Sequence, residues 1–262
     1  MEILIAVIIV TAVGAVAGIG LAVASILMAV PKNEKAEEIS SVLPGANCGA
    51  CGFSGCSAYA EAIANGEAAP GLCTPGGAET AAKLSEILGV EIDTKIKFAF
   101  VGCNGCTKEN KIDYKGVQSC KAANMLYSGP AACDFGCLGL GDCAAKCSYG
   151  AITVEGKVAK INKDLCKGCG VCVAACPKGL ISIISPTKRR TAAVGCSNKS
   201  KGKTVASVCD NGCIACTKCV KECNFNAIEM VNNLPVINIE KCLGCGKCAA
   251  ACPKKVISII KV

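Results

Sequence analysis

The sequence predicts an α+β protein: an N-terminal apolar helix, then a small helical domain, then two tandem cysteine-rich modules built from short strands and helices. Three observations support this prediction: an uncharged apolar stretch at residues 3–30, a content of 25 Cys with no His, and a repeat with an offset of 76 residues. A chain of 262 residues has room for one to three domains. The expected boundaries are 1–30 for the apolar helix, 31–90 for the helical domain, 91–132 and 186–208 for connectors, and 133–185 and 209–262 for the modules.

The apolar stretch predicts a transmembrane helix. Residues 3–30 exceed the roughly 20 apolar residues that a helix needs to cross a bilayer. A cleaved signal peptide is the alternative, but it would have a basic start and a shorter apolar core, and here Glu2 precedes the stretch. Lys32 and Lys35 follow it, and positive charge favours the cytoplasmic side. We therefore expect a single-pass protein of the cell (inner, cytoplasmic) membrane, with the cysteine-rich body in the cytoplasm.

The density of cysteine predicts metal or cluster binding. Cysteines used this densely occur as disulfides in secreted proteins, or as metal and cluster ligands in reducing compartments. Most of them here lie two or three residues apart in local runs, which suits a metal cage better than a disulfide framework. The absence of His argues against haem, Rieske centres and mixed Cys/His zinc sites.

The first cysteine group lies in the predicted helical domain. Glycines at 49, 52 and 55 give the loop the freedom to fold around an inorganic core, and a helical stretch returns the chain to the last cysteine. A zinc site is the alternative, but zinc usually takes two separated CxxC pairs, whereas three of these ligands crowd into nine residues. The spacing favours a [4Fe–4S] cluster bound by Cys48, Cys51, Cys56 and Cys73.

The net charge is weak evidence for nucleic-acid binding. The formal value of +8 counts every cysteine as neutral. An oxidised [4Fe–4S] cluster with four thiolates carries about −2, so five clusters would bring the total to roughly −2. Aromatic residues make up only 3% of the chain, which leaves little surface for base stacking. We expect no nucleic-acid partner.

The two modules are copies of each other. Residues 147–184 and 223–260 align without a gap, and five cysteines of the first copy each match a cysteine 76 residues later. The same offset continues upstream, where it relates Cys133 to Cys209 and Cys120 to Cys196, so that nine cysteines keep register. A register of this length indicates a duplicated module.

The second module resembles a two-cluster bacterial ferredoxin. It contains two C-x2-C-x2-C-x3-C runs; Pro253 follows the second run as in that family, whereas Asn224 replaces the proline after the first. In that family the fourth cysteine of each run binds the other cluster. The resemblance implies one cluster at Cys213, Cys216, Cys219 and Cys252, and another at Cys242, Cys245, Cys248 and Cys223.

The first module departs from this pattern at one position. Leu140 stands where the second copy has Cys216, so one ligand is missing. Cys133 is the nearest candidate and is predicted to fill the vacant corner; a three-iron cluster with three thiolates is the alternative. The resemblance assigns the other ligands: Cys166, Cys169, Cys172 and Cys147 to one cluster, and Cys137, Cys143 and Cys176 to its neighbour.

Taken together, these features resemble the B subunit of the Rnf complex, an ion-translocating ferredoxin:NAD oxidoreductase. The shared features are an apolar N-terminal stretch, a cluster domain, tandem ferredoxin motifs and the run "GCLGLGDC", and they cover essentially the whole chain. The resemblance implies an electron relay from soluble ferredoxin to other, membrane-embedded Rnf subunits that reduce NAD and pump Na⁺ or H⁺. The chain has no dinucleotide-binding GxGxxG unit and no convincing flavin site, so we expect a relay without catalytic residues of its own.

Two other functions fit the same pattern. One is a membrane-anchored polyferredoxin subunit of a hydrogenase or formate dehydrogenase, and the other is a zinc-rich scaffold. The sequence predicts at least five [4Fe–4S] clusters. A sixth would use Cys103, Cys106 and Cys120 with Cys133, whereas buried packing thiols are the alternative for these residues and for Cys196 and Cys209.

Overall fold

A computed structural model of the chain describes residues 2–27, 33–92, 97–105, 108–186 and 188–261. Its first element is helix α1 (Glu2–Leu27), which covers most of the apolar stretch. The prediction that this helix crosses a membrane is wrong, because no helix in the described ranges has both the length and the apolar character for a crossing. The part of α1 whose side chains are described without interruption, residues 11–24, is shorter than the roughly 20 apolar residues needed and includes three glycines.

The small helical domain follows α1. Each of its three helices contributes one side chain to a common core: Ile39, Tyr59 and Leu84 are all 1% exposed or less. The Asn33 side chain caps the first of them by accepting the Ala36 N–H. The domain consists of α2 (Glu34–Val42), α3 (Cys56–Ala64), a 3₁₀ turn (Pro70–Leu72) and α4 (Gly77–Leu88).

Module 1 is built from two antiparallel strand pairs and short helices. β1 (Phe98–Val101) pairs with β4 (Ile181–Ile184), and β2 (Ile152–Glu155) pairs with β3 (Val158–Ile161). Since β1 precedes residue 133, this module includes part of the segment expected to be a connector. The helices are α5 (Cys120–Asn124), α6 (Asp142–Ala145) and α7 (Val171–Ala175).

Module 2 repeats this arrangement. β5 (Arg190–Val194) pairs with β8 (Ile257–Lys261), and β6 (Ile228–Val231) pairs with β7 (Leu234–Ile237). β5 comes from the second expected connector. The helices are α8 (Gly202–Val208), α9 (Lys218–Lys221) and α10 (Lys247–Ala250).

The two modules face each other through equivalent strands. Their shared core contains one residue from each of the paired strands β1, β4, β5 and β8: Phe98, Ile184, Ala193 and Ile260. The Ser197 hydroxyl donates to the Gly102 carbonyl at 2.8 Å, and the Asn104 amide donates to the Lys255 carbonyl at 3.2 Å. Each module therefore passes a short loop across to the other.

These crossing loops correct the upstream part of the repeat register. Gly102 N–H donates to the Leu180 carbonyl, and Gly195 N–H donates to the Val256 carbonyl, both at 2.7 Å. The residue that follows each glycine is a cysteine, so Cys103, and not Cys120, is the structural counterpart of Cys196. The match of Cys120 to Cys196 by offset is wrong.

Module 1 carries an insertion between its first strand and its cluster-binding runs. Thirty positions separate Cys103 from Cys133, whereas 13 separate Cys196 from Cys209. The additional residues contain Cys120, which begins α5 and has no counterpart in module 2.

Candidate iron–sulfur cluster sites

The first site is in the helical domain, where four thiols surround the start of α3. Burial raises the pKa of Cys73, and the neighbouring Cys56, Cys51 and Cys48 raise it further. The Asn47 side chain fixes the loop by accepting the Cys56 N–H at 2.8 Å. The structure thus brings together the four cysteines of the predicted first cluster.

A buried tyrosine holds the last cysteine of this group in place. The Tyr59 hydroxyl donates to the Ala69 carbonyl at 2.8 Å and accepts from Leu72 N–H at 3.0 Å, and it thereby fixes the turn before Cys73. Burial raises the pKa of Tyr59 to about 12, so the hydroxyl keeps its proton and can donate.

In module 2 the structure gathers both predicted sets of four. A cavity of about 340 Å³ is lined by the cysteines of one set: Cys213, Cys216, Cys219 and Cys252. In the other set, burial and the neighbouring Cys242, Cys245 and Cys223 raise the pKa of Cys248 to about 11.

Two sites also form in module 1, and the first contains the four cysteines that the resemblance assigns. Burial, then Cys169 and Cys166, raise the pKa of Cys172 to about 11, and Cys147 is a further neighbour of Cys169. Cys48 of the helical domain also lies near Cys169, so the first site of the chain adjoins this one.

The second site of module 1 contains a cysteine that the sequence analysis did not place there. A cavity of about 370 Å³ is lined by Cys120, Cys137, Cys143 and Cys176. Burial and the other three thiols, Cys137, Cys120 and Cys176, raise the pKa of Cys143 to about 11. Cys133 is not among the lining residues; it lines a different cavity. The signal in the sequence was the insertion itself, which adds one cysteine to the module that lacks one.

Asp142 positions Cys120 at this cavity. Its carboxylate accepts three hydrogen bonds from the first turn of α5: the Cys120 N–H at 2.9 Å, the Lys121 N–H at 3.0 Å and the Ser119 hydroxyl at 2.9 Å. Burial opposes ionisation of Asp142, but these hydrogen bonds hold its pKa below the usual range. Lys218 occupies the equivalent position of module 2, which has no such helix to hold.

The backbone that surrounds a cluster is the same in all four runs. The central position of each run lies between two residues with left-handed φ, which turns the chain sharply on both sides. Leu140 keeps this geometry although it carries no thiol. The flanking pairs are Gly139 and Gly141, Gly168 and Gly170, Ala215 and Thr217, and Gly244 and Gly246.

Gly168→Ala is expected to destabilise module 1 more than Gly170→Ala. Both glycines have positive φ, 63° and 80°, where an alanine costs about 1–2 kcal/mol. A Cβ at Gly168 would also lie 2.5 Å from the Lys97 carbonyl oxygen, whereas a Cβ at Gly170 would meet no atom within 4 Å. We expect a further loss of about 1–3 kcal/mol for Gly168→Ala. The measurement is the denaturant midpoint of cluster absorbance, and equal midpoints would contradict this close approach.

The arrangement of these thiols fits polynuclear clusters. Buried, crowded thiols with raised pKa values favour a cationic core that offsets their negative charge once they ionise. Backbone N–H groups also point at sulfur: Ala99 to Cys166, Leu180 to Cys176 and Gly244 to Cys242, at 3.3–3.4 Å.

No group of three or more His, Cys, Asp or Glu in the described ranges could hold a metal ion in the manner of a single-ion site. This applies equally to every set of four described above. The cavities belong to sets of cysteines in which each thiolate of a cubane would bind a separate iron. Cys106 lies outside the described residues, so its predicted role in a further cluster has no structural counterpart here.

Comparison with known families locates three matching regions. An Fe-S cluster family matches residues 43–75, a 4Fe-4S binding domain matches 159–182, and a 4Fe-4S dicluster domain matches 212–257.

Known proteins match over most of the chain. It is 42% identical to the B subunit of the ion-translocating oxidoreductase complex of Methanosarcina acetivorans, over 94% of both chains. It is 37% identical to the B subunit of the proton-translocating ferredoxin:NAD(+) oxidoreductase complex of Clostridium ljungdahlii, over 97% of this chain and 91% of the other. The chain belongs to the family of Rnf complex B subunits.

A further relative supports the same assignment. The B subunit of the Na(+)-translocating ferredoxin:NAD(+) oxidoreductase complex of Acetobacterium woodii is 39% identical, over 94% of this chain and 74% of the other. Together with the 4Fe-4S domains, these relatives identify the chain as an iron–sulfur electron-transfer subunit of the Rnf oxidoreductase complex. They favour this interpretation over a hydrogenase or formate dehydrogenase subunit and over a zinc-rich scaffold.

Proposed function

We propose that this Rnf subunit takes electrons from reduced ferredoxin and passes them to other Rnf subunits, which reduce NAD and move Na⁺ or H⁺. The observation that carries the proposal is a continuous series of four-thiol sites from the helical domain through both modules. The relatives whose names include ferredoxin, NAD(+) and ion translocation support the choice of donor and acceptor.

We propose five ligand sets for this relay. Four are those that the sequence and its ferredoxin resemblance give, and their cysteines lie together in the structure. In the fifth, Cys120 replaces Cys133 as the partner of Cys137, Cys143 and Cys176, because Cys120 lines the cavity of that set. Each bound [4Fe–4S] cluster would take up and release one electron.

The residues of the chain then determine where an electron goes and at what potential. Burial of the thiols excludes water, and N–H donors to sulfur stabilise the more negative, reduced state. Cys48 lies near Cys169, and Cys143 lies near Cys172, so the helical domain adjoins one site of module 1 and that site adjoins the other. The relay therefore has an order fixed by the fold.

We also propose a location. Ion translocation requires a membrane, and iron–sulfur ligands require a reducing environment to remain thiolates. The cysteine-rich body would accordingly work on the cytoplasmic face of the cell membrane, bound to the other subunits of the complex.

Rapid mixing of reduced ferredoxin with the anaerobically purified, oxidised chain tests the function. We expect the cluster absorbance of this chain to bleach as ferredoxin is oxidised. Addition of the remaining complex should make NADH formation depend on this chain. A chain that ferredoxin does not reduce, or a complex that forms NADH equally well without it, would show that the proposed function is incorrect.

A further inference from the structure

A further cavity, without a role in the five ligand sets, lies between the two modules. It measures about 320 Å³, close to the 340 and 370 Å³ of the cavities that belong to two of the proposed sets. Four cysteines line it, two from each module, and none belongs to the five sets above: Cys103, Cys133, Cys196 and Cys209.

The four cysteines form two pairs of equivalent residues. Cys103 and Cys196 each follow the strand and glycine that pack against the other module. Cys133 and Cys209 each precede the first cluster-binding cysteine of their module by four residues. The crossing loops therefore deliver one thiol of each kind from each side, which is the arrangement that four corners of a cube require.

The groups around these thiols are those found at the other sites. Cys103 Sγ accepts from the N–H groups of Gly105 and Cys137 at 3.4 Å, and Cys196 Sγ accepts from Cys213 N–H at 3.3 Å. These N–H to sulfur contacts match those at Cys166 and Cys242 in length.

The cavity is closed to water on its inner side. Cys133 is 5% exposed and Cys209 is 7% exposed. The Asn198 side chain, which is 4% exposed, donates through Nδ2 to Cys133 Sγ at 3.3 Å. A buried amide aimed at sulfur suits a thiolate that carries the charge of an iron core.

We propose that Cys103, Cys133, Cys196 and Cys209 bind a sixth [4Fe–4S] cluster that connects module 1 to module 2. Its neighbours in the chain are the sets to which Cys137 and Cys213 belong, and both residues donate N–H to thiols of this site. An electron that crosses here oxidises a cluster of one module by one electron and reduces a cluster of the other by one. The role as a connection rests on the relay function proposed above, whereas the site itself does not.

This ligand set differs from the one that the sequence suggested. That prediction joined Cys103 and Cys133 with Cys106 and Cys120, whereas in the structure Cys120 lines the cavity of another set. Six sets of four account for every cysteine of the chain except Cys106.

Iron and acid-labile sulfide counts on the anaerobically purified full chain test the proposal. Six cubanes give about 24 iron and 24 sulfide per chain. We expect two double variants, Cys103→Ala/Cys196→Ala and Cys133→Ala/Cys209→Ala, to fall to about 20 of each, because two thiols cannot hold a cubane. The quadruple variant should also remain at about 20, since all four residues serve one cluster. Cys106→Ala is the matched control and should keep the full count.

Other outcomes would overturn this proposal. A wild-type count of about 20 that the double variants leave unchanged shows that the thiols only pack. A quadruple variant near 16 shows that each pair supports a separate cluster, and a loss in Cys106→Ala shows a different ligand set. Reduction of the wild-type chain by ferredoxin separates the two proposals, because it succeeds with five clusters or with six if the function is correct. In a correct relay, the double variants should keep reduction of part of their clusters and lose electron transfer between modules.

Discussion

Cys120→Ala removes one complete cubane from module 1, or leaves it as a three-iron cluster. The remaining thiols of that site, Cys137, Cys143 and Cys176, occupy three corners, and Leu140 supplies no fourth. The iron content per chain should fall by about one to four atoms, depending on whether the three-iron form survives. Low-temperature EPR of the oxidised chain would show the three-iron form, because oxidised [4Fe–4S] clusters of this type give no signal.

A matched comparison separates this effect from a general loss of stability. Cys106→Ala lies in the same insertion and should leave iron and EPR unchanged. Combining Cys120→Ala with Cys103→Ala/Cys196→Ala should give additive iron losses, because the two changes affect different sites. A normal iron count and spectrum in Cys120→Ala would mean that another residue occupies this corner.

Leu140→Cys restores the cluster in the Cys120→Ala background. Leu140 lies between Gly139 and Gly141, whose φ values of 69° and 85° reproduce the left-handed pair that flanks Cys216 in module 2. A thiol placed there enters a backbone already shaped for a central ligand. We expect the double variant to recover the wild-type iron count and to lose the three-iron signal.

Leu140→Ala in the same background is the control for this rescue. It changes the volume at position 140 without adding a ligand, so its iron count should stay as low as that of Cys120→Ala alone. If cysteine and alanine at this position gave the same result, the loop would not present its central side chain to the cluster.

Local spacing was sufficient to predict most ligands. A run such as Cys242, Cys245 and Cys248 fixes three corners within seven residues, so the loop geometry follows from short-range sequence. The repeat also predicted that the strands of the two modules would correspond. The position of Cys120 could not be read in this way, because 17 residues separate it from Cys137 and only the hydrogen bonds of Asp142 bring α5 to the cavity.

Two other predictions required information beyond a pattern. The upstream register matched Cys120 to Cys196 by counting, but an insertion in one copy breaks any fixed offset, and the glycine that crosses to the other module identifies Cys103 instead. The apolar N-terminal stretch predicted a membrane crossing, which the described helices do not support. The cavity at the module interface depends on strand pairing between distant segments, which no local motif encodes.

The insertion that carries Cys120 also restricts how the two halves of the gene can exchange sequence. Copying module 2 over residues 133–185 would place a cysteine at position 140 and leave Cys120 as a spare. Copying in the opposite direction would place a leucine at position 216, and the 13 positions between Cys196 and Cys209 contain no substitute thiol. Recombination between the repeats is therefore tolerable in one direction only, and this asymmetry opposes their homogenisation.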